Sequence, residues 1–211
     1  KTRSVAGAFP KPTTMSTNPA AAPSENSPLY LGSPSRSLRL ARSLGIAGEM
    51  ERLGRSGLLW MDFLSTGDGT MDSLGPLVSG LAESDIPINY QPTSREPYPT
   101  AIAAIFRRLG YRTRFFYAGY PSWQRMGEFA KDQGFDEVYG GGDVGNWAEG
   151  NEWGVSDENL FDFALRKMDD DAPSFDMVLT VSNHPPFDVD VVAKGFPLRE
   201  IPEPLRGVWD G

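Results

Sequence analysis

Between residues 58 and 181 short apolar runs alternate with amphipathic ones, and this alternation limits what the chain can fold into more than any other feature. Residues 58–65 read as a strand. A glycine-rich turn follows it, and then a helix whose apolar face is Met71, Leu74, Leu77, Val78 and Leu81. Residues 100–109 have helical spacing that predicts Ile102, Ile105, Phe106 and Leu109 inside, with Gly110 as the left-handed residue past the end. Residues 112–118 are the next strand. Ser122 is placed to cap a helix running to Gln133 with Met126, Phe129 and Ala130 inward and Gly134 just beyond, and residues 135–139 are short and extended. Ser156 is placed to cap a further helix burying Leu160, Phe161, Ala164, Leu165 and Met168, and residues 175–181 form a buried strand. Apolar strands separated by amphipathic helices predict an α/β domain on a largely parallel sheet flanked by helices. Ligands in that architecture sit at the carboxyl ends of the strands.

The alternation has a clear beginning. Residues 1–36 are rich in Pro, Ser, Ala and Thr without periodicity, and read as a low-complexity or disordered segment ahead of a domain at 37–211. In that domain Ile46, Met50 and Leu53 share one helical face before Gly54 and Gly57. Charge narrows the ligand class: 20 basic against 28 acidic residues give a net charge of −8, which disfavours nucleic acid as a partner. With no cysteine, disulfides, thiolate metal sites and a cysteine nucleophile are excluded. No apolar stretch reaches the ~18 residues of a membrane span, and residues 1–36 lack a signal-peptide pattern, so the chain as written is expected to be soluble.

Two segments fall at strand ends. The turn at 66–73 (Thr66, Gly67, Asp68, Gly69, Thr70, Met71, Asp72, Ser73) sets hydroxyls and flexible backbone at a strand-to-helix junction, where free N–H groups favour a phosphate or sulfate. Thr70 there is either a nucleophilic hydroxyl or a helix cap. The second segment, residues 182–187, carries His184, the single histidine, followed by Pro185 and Pro186. That imidazole is either a loop residue or a partner for a phosphate oxygen or substrate hydroxyl. At the predicted helix start, Trp123 and Arg125 are either packing and solvated charge, or an apolar wall and a guanidinium fork for phosphate. Asp157 and Glu158 complement a helix dipole, and Asp169, Asp170 and Asp171 end that helix, so both acidic runs read as structural.

Taken in order, the stretches 50–60, 65–73, 104–113, 115–119, 153–158 and 180–187 resemble the lipoteichoic acid synthase-like phosphoglycerol transferases of the alkaline-phosphatase/sulfatase superfamily. The resemblance covers about residues 49–187. It rests on three steps together: a helix followed by Gly110, Tyr111 and Thr113; Trp153, Gly154, Val155, Ser156 and Asp157; and Ser182, Asn183, His184 and Pro185. It implies a sulfatase-like fold and transfer through a phospho-threonine intermediate, with Thr70 as nucleophile and metal ligand. It further implies Trp123, Arg125 and His184 as substrate-gripping residues, a divalent metal with manganese as the ion, and a phospholipid headgroup, glycerol phosphate or glycan as substrate. A metal would lower the hydroxyl pKa and neutralise phosphoryl charge.

The same resemblance implies a membrane-anchored parent with an extracytoplasmic catalytic domain. Its opening metal-binding strand is replaced here by the run from Thr13 onward, as a truncated or shifted reading frame would give, and its later Asp-His pair would lie past Gly211. The chain is therefore expected to be a partial catalytic domain. Two rival readings are a sulfatase-like hydrolase and a non-catalytic anion-binding relative; the Cys/Ser-x-Pro-x-Arg context of classical sulfatases is absent around Thr70.

Overall fold

The computed structural model describes residues 48–58, 66, 67, 69–145, 150–168, 172–185, 190, 193 and 195. The chain divides into two compact units, residues 1–62 and 63–211. Within the first, α1 (Gly48–Ser56) carries Arg55 in its last turn, where a cation complements the helix dipole, and Leu53 stands exposed. The predicted strand at 58–65 lies outside the described residues except for Leu58, as does the acidic run at 169–171.

The second unit is built on a parallel sheet. It opens with α2 (Thr70–Ser79), which ends where Gly80 turns left-handed at φ 72° and donates its N–H to the Pro76 carbonyl. Two single 3-10 turns, Ile88–Tyr90 and Pro92–Arg95, lead to α3 (Ile102–Arg108) and the strand β1 (Arg112–Tyr117). Beyond the 3-10 turn Trp123–Arg125 come α4 (Met126–Asp132), β2 (Glu137–Tyr139) and α5 (Gly141–Val144). A small antiparallel hairpin, β3 (Gly150–Asn151) with β4 (Gly154–Val155), precedes α6 (Asp157–Met168) and β5 (Ser174–Leu179). The sheet order is β2, β1, β5 with β1 central, and each parallel return is made through a helix, as parallel strands require.

The expected α/β architecture is thus present, and its core lies where β1 meets α4 and α6. Phe115, Phe116, Met126, Phe129 and Leu160 are fully enclosed. Phe163 reaches the same core edge-on to Phe116 and Tyr139. Phe106 stacks flat on Phe175 at 4.5 Å, which ties α3 to β5.

Several local expectations differ from the fold. Leu77 and Leu81, predicted on the apolar face with Met71, Leu74 and Val78, are exposed, and the strand predicted as buried at 175–181 is half-buried along β5. In α6 the buried stripe is Leu160, Phe163 and Ala164, while Phe161 and Leu165 face outward, because the row one residue further round a helix points about 100° away. In α3 the buried residue is Ala103, and Phe106 makes the ring contact with Phe175, while Ile105 and Leu109 fall off that face and are exposed. The helix predicted from Ser122 begins only at Met126, and the preceding turn is kinked by left-handed Gln124 and Arg125.

Among the described residues one charged side chain is fully inside. Arg114 is 1% exposed and donates to the Asp176 carboxylate at 2.6 Å and to the Lys167 carbonyl, so β1, β5 and the end of α6 share one guanidinium. A buried cation is tolerable only when paired in this way. Among the described residues no helix is long and apolar enough to cross a membrane.

Candidate functional site

A cavity of about 210 Å³ opens beside the carboxyl ends of β1 and β5. Four segments of the second unit build it: Thr70 from the start of α2, Tyr117 and Tyr120 with Trp123 after β1, Glu152 and Trp153 from the hairpin, and Thr180, Val181 and His184 after β5. Three of the four sequence-derived candidates, Thr70, Trp123 and His184, therefore line one space.

Thr70 is the first residue of α2, and its side chain is exposed. Gly69, with extended backbone, holds the capping position, so Thr70 is not the helix cap. The turn is closed by other hydroxyls: Thr66 Oγ donates to the Asp72 carbonyl at 3.1 Å and Ser73 Oγ to the Gly67 carbonyl at 3.2 Å. Gly67 is required by closeness, since a Cβ there would sit 2.4 Å from the Asp72 Cβ. The result leaves Thr70 exposed and lining the cavity at a helix N-terminus, whose dipole favours an anion.

His184 is held by stacking and by its loop. Its ring lies 4.1 Å from that of Trp153, nearly parallel at 8°, and Trp153 Nε1 donates to the Pro185 carbonyl at 2.7 Å. Asp157 pins the same loop from α6: its carboxylate accepts the N–H groups of Val181 at 2.8 Å and Ser182 at 3.0 Å, and its own N–H donates to Ser182 Oγ at 3.0 Å. The carboxylate is structural, as expected, yet what it stabilises is the histidine loop as well as the helix end. Ser156 Oγ accepts the Asn159 N–H at 3.3 Å and caps α6 as the sequence predicts.

Trp153 sits over the cavity because Gly154 lets the hairpin touch β1's end. With φ 150°, a Cβ at Gly154 would come within 2.2 Å of the Ala118 carbonyl oxygen, while Val155 N donates to that oxygen at 3.0 Å. In the sequence Trp153 and Gly154 stand only as parts of a motif; the proximity of Ala118 and Gly154 is a long-range fact that no local pattern carries. Tyr117 and Tyr120 complete the aromatic lining, and burial pushes the Tyr117 hydroxyl above its ordinary 10, so it keeps its proton at neutral pH.

Arg125 stands apart from the cavity lining. Its guanidinium donates to the Asn89 carbonyl and lies 3.9 Å from the Asp132 carboxylate, with Arg95 on the other side at 3.8 Å. Burial raises the Asp132 pKa, an effect that Arg125 opposes and Glu128 and Glu96 reinforce.

The cavity has acidic Glu152 and the His184 imidazole, but among the described residues no three His, Asp or Glu side chains gather as a metal cage would need. The described residues alone do not fit a divalent ion. What they do offer is a hydroxyl-bearing residue, an imidazole, a carboxylate and aromatic walls around one small cavity.

Comparison with known proteins places these features. A family model described as sulfatase matches residues 38–200. The crystal structure of a protein in the alkaline phosphatase superfamily from Vibrio parahaemolyticus is similar over 72% of this chain at 26% identity and a TM-score of 0.63. The lipoteichoic acid synthase LtaP from Listeria monocytogenes shares the fold over 64% of this chain, at 19% identity and a TM-score of 0.51. This chain spans 39% of the first structure's length and 34% of the second's.

Proposed function

This chain belongs to the sulfatase family, and from that premise we propose that it is part of the catalytic domain of a metal-dependent phosphoglycerol transferase. The observation that carries the reading is the convergence of Thr70, Trp123 and His184 on one cavity at the strand ends. Members of the superfamily generally use divalent metals, and manganese is the ion proposed here; its remaining ligands come from outside the described residues. The proposed substrates are a phospholipid headgroup as donor and a glycerol phosphate or glycan hydroxyl as acceptor, handled by an extracytoplasmic domain of a membrane-anchored protein.

In this scheme Trp123 and the facing aromatic residues receive the glycerol unit, and His184 bonds a phosphoryl oxygen or the acceptor hydroxyl. The Thr70 oxygen bonds to phosphorus as the bond from phosphorus to the lipid alcohol breaks, with the threonine proton passing to that alcohol. An acceptor hydroxyl then takes the phosphorus, and its proton restores the Thr70 hydroxyl. Arg125, outside the cavity lining, is held by the Asn89 carbonyl and lies beside the Asp132 carboxylate, so in this scheme it would reach a bound phosphate only from that position or after moving.

The test uses the full-length protein, a fluorescent phosphatidylglycerol and manganese. Release of labelled diacylglycerol, with one glycerophosphoryl group found on the peptide carrying Thr70, is the expected outcome. Thr70→Ala is expected to abolish both while the melting temperature stays unchanged, because its side chain is exposed. Labelled diacylglycerol accompanied by free glycerol phosphate and no acceptor product would favour a hydrolase, and binding without turnover a non-catalytic relative.

A further inference from the structure

The turn that carries Trp123 holds a backbone conformation its own residues disfavour. Gln124 (φ 49°, ψ 28°) and Arg125 (φ 54°, ψ 25°) are consecutive left-handed residues, and neither is glycine. In that region the Cβ of an L residue crowds the following carbonyl. Such a conformation persists only where surrounding contacts over-determine it, and positions of this kind gather at functional sites.

Asn89, which is 35 residues away from Gln124 in sequence and 1% exposed, supplies those contacts. Its side-chain amide donates to the Gln124 carbonyl, and its backbone carbonyl accepts the Arg125 guanidinium. The far side of the turn is closed by Trp123 N to the Tyr120 carbonyl at 2.9 Å and Gly127 N to the Pro121 carbonyl at 2.7 Å. Trp123, 40% exposed, stands in this turn and is one of the residues lining the cavity.

Resting on the functional reading above, we propose that Asn89 is a positioning residue: it clamps the left-handed turn at Gln124 and Arg125 and so fixes the Trp123 indole at the cavity that receives the glycerol phosphate group. Among the described residues, the Gln124 carbonyl is the acceptor that this buried amide meets, which a buried polar group needs. Asn89 touches no substrate in this scheme and acts through Trp123.

The test measures glycerol phosphate binding to the full-length protein by calorimetry, with Asn89→Ala, Trp123→Ala and the double variant. Asn89→Ala is expected to weaken binding about tenfold, and to weaken it no further once Trp123 is already alanine, the non-additivity of residues that act as one unit. Binding within twofold of wild type, or an equal loss in both backgrounds, overturns the proposal. If Asn89→Ala does not melt cooperatively, Asn89→Ser, too short to reach the Gln124 carbonyl, is read with the same expectations. Failure of both to fold also overturns it, since Asn89 would then serve the fold as a whole. Should the wild type bind no glycerol phosphate, the functional reading falls, and the clamp is read from the near-ultraviolet dichroism that Trp123→Ala removes. Asn89→Ala is expected to lose that signal too, and its retention refutes the clamp.

Discussion

At the scale of single residues, the site depends on polar groups that face backbone as much as on those that face the cavity. Asp157 satisfies two N–H groups of the His184 loop with one carboxylate oxygen. Removing it strands both donors, so Asp157→Ala is expected to cost about 1–3 kcal/mol in chemical denaturation. The same change is expected to raise KM more than it lowers kcat, because the loop loses its anchor while Thr70 is untouched. Sequence showed Asp157 as a helix-start acid, which is correct. Its second role was invisible, since the loop it holds is 24 and 25 residues further on.

Among elements, the hairpin of β3 and β4 has the tightest steric requirement. Gly154 lies against the Ala118 carbonyl with no room for a Cβ and at a backbone angle that favours glycine. Gly154→Ala is expected to displace the hairpin at a cost of about 1–3 kcal/mol. Tryptophan fluorescence and substrate affinity, which report Trp153, are expected to change together with the melting temperature. The strand β2 makes a different prediction. Burial, then the hydrogen bond and charge of Glu137, push the Tyr139 hydroxyl from 10 up to about 12. The folded state thus holds this proton more tightly than the unfolded chain does. Its stabilising contribution is complete below pH 10 and is lost as pH rises toward 12. Wild type is therefore expected to lose melting temperature across that window more steeply than Tyr139→Phe.

For the molecule as a whole, the buried guanidinium of Arg114 is the joint between layers. It bonds Asp176 in the neighbouring strand and the Lys167 carbonyl at the end of α6. Arg114→Ala leaves Asp176 uncompensated and is expected to cost about 3–5 kcal/mol, read as a lower denaturant midpoint at unchanged slope. How legible this assembly was in the sequence varied with range. Strand and helix identity followed from apolar spacing, as β1, β5 and the buried Met126, Phe129 and Ala130 show. Which side of a helix faces inward was harder where apolar residues outnumber contacts, as at Phe161 and Leu165. Three candidates converged because the fold brings strand ends together, whereas Arg125 went elsewhere because two left-handed residues redirect its turn. Nothing in a sequence window announces positive φ at a glutamine followed by an arginine.

The parallel contact of the lone histidine with Trp153 gives the protein a built-in magnetic reporter. Ring protons held 4.1 Å above an indole lie in its shielding cone, and with one imidazole in the chain their resonances need no assignment. Anything that pulls His184 away from Trp153 toward a phosphoryl oxygen would move the imidazole proton lines of the purified protein downfield.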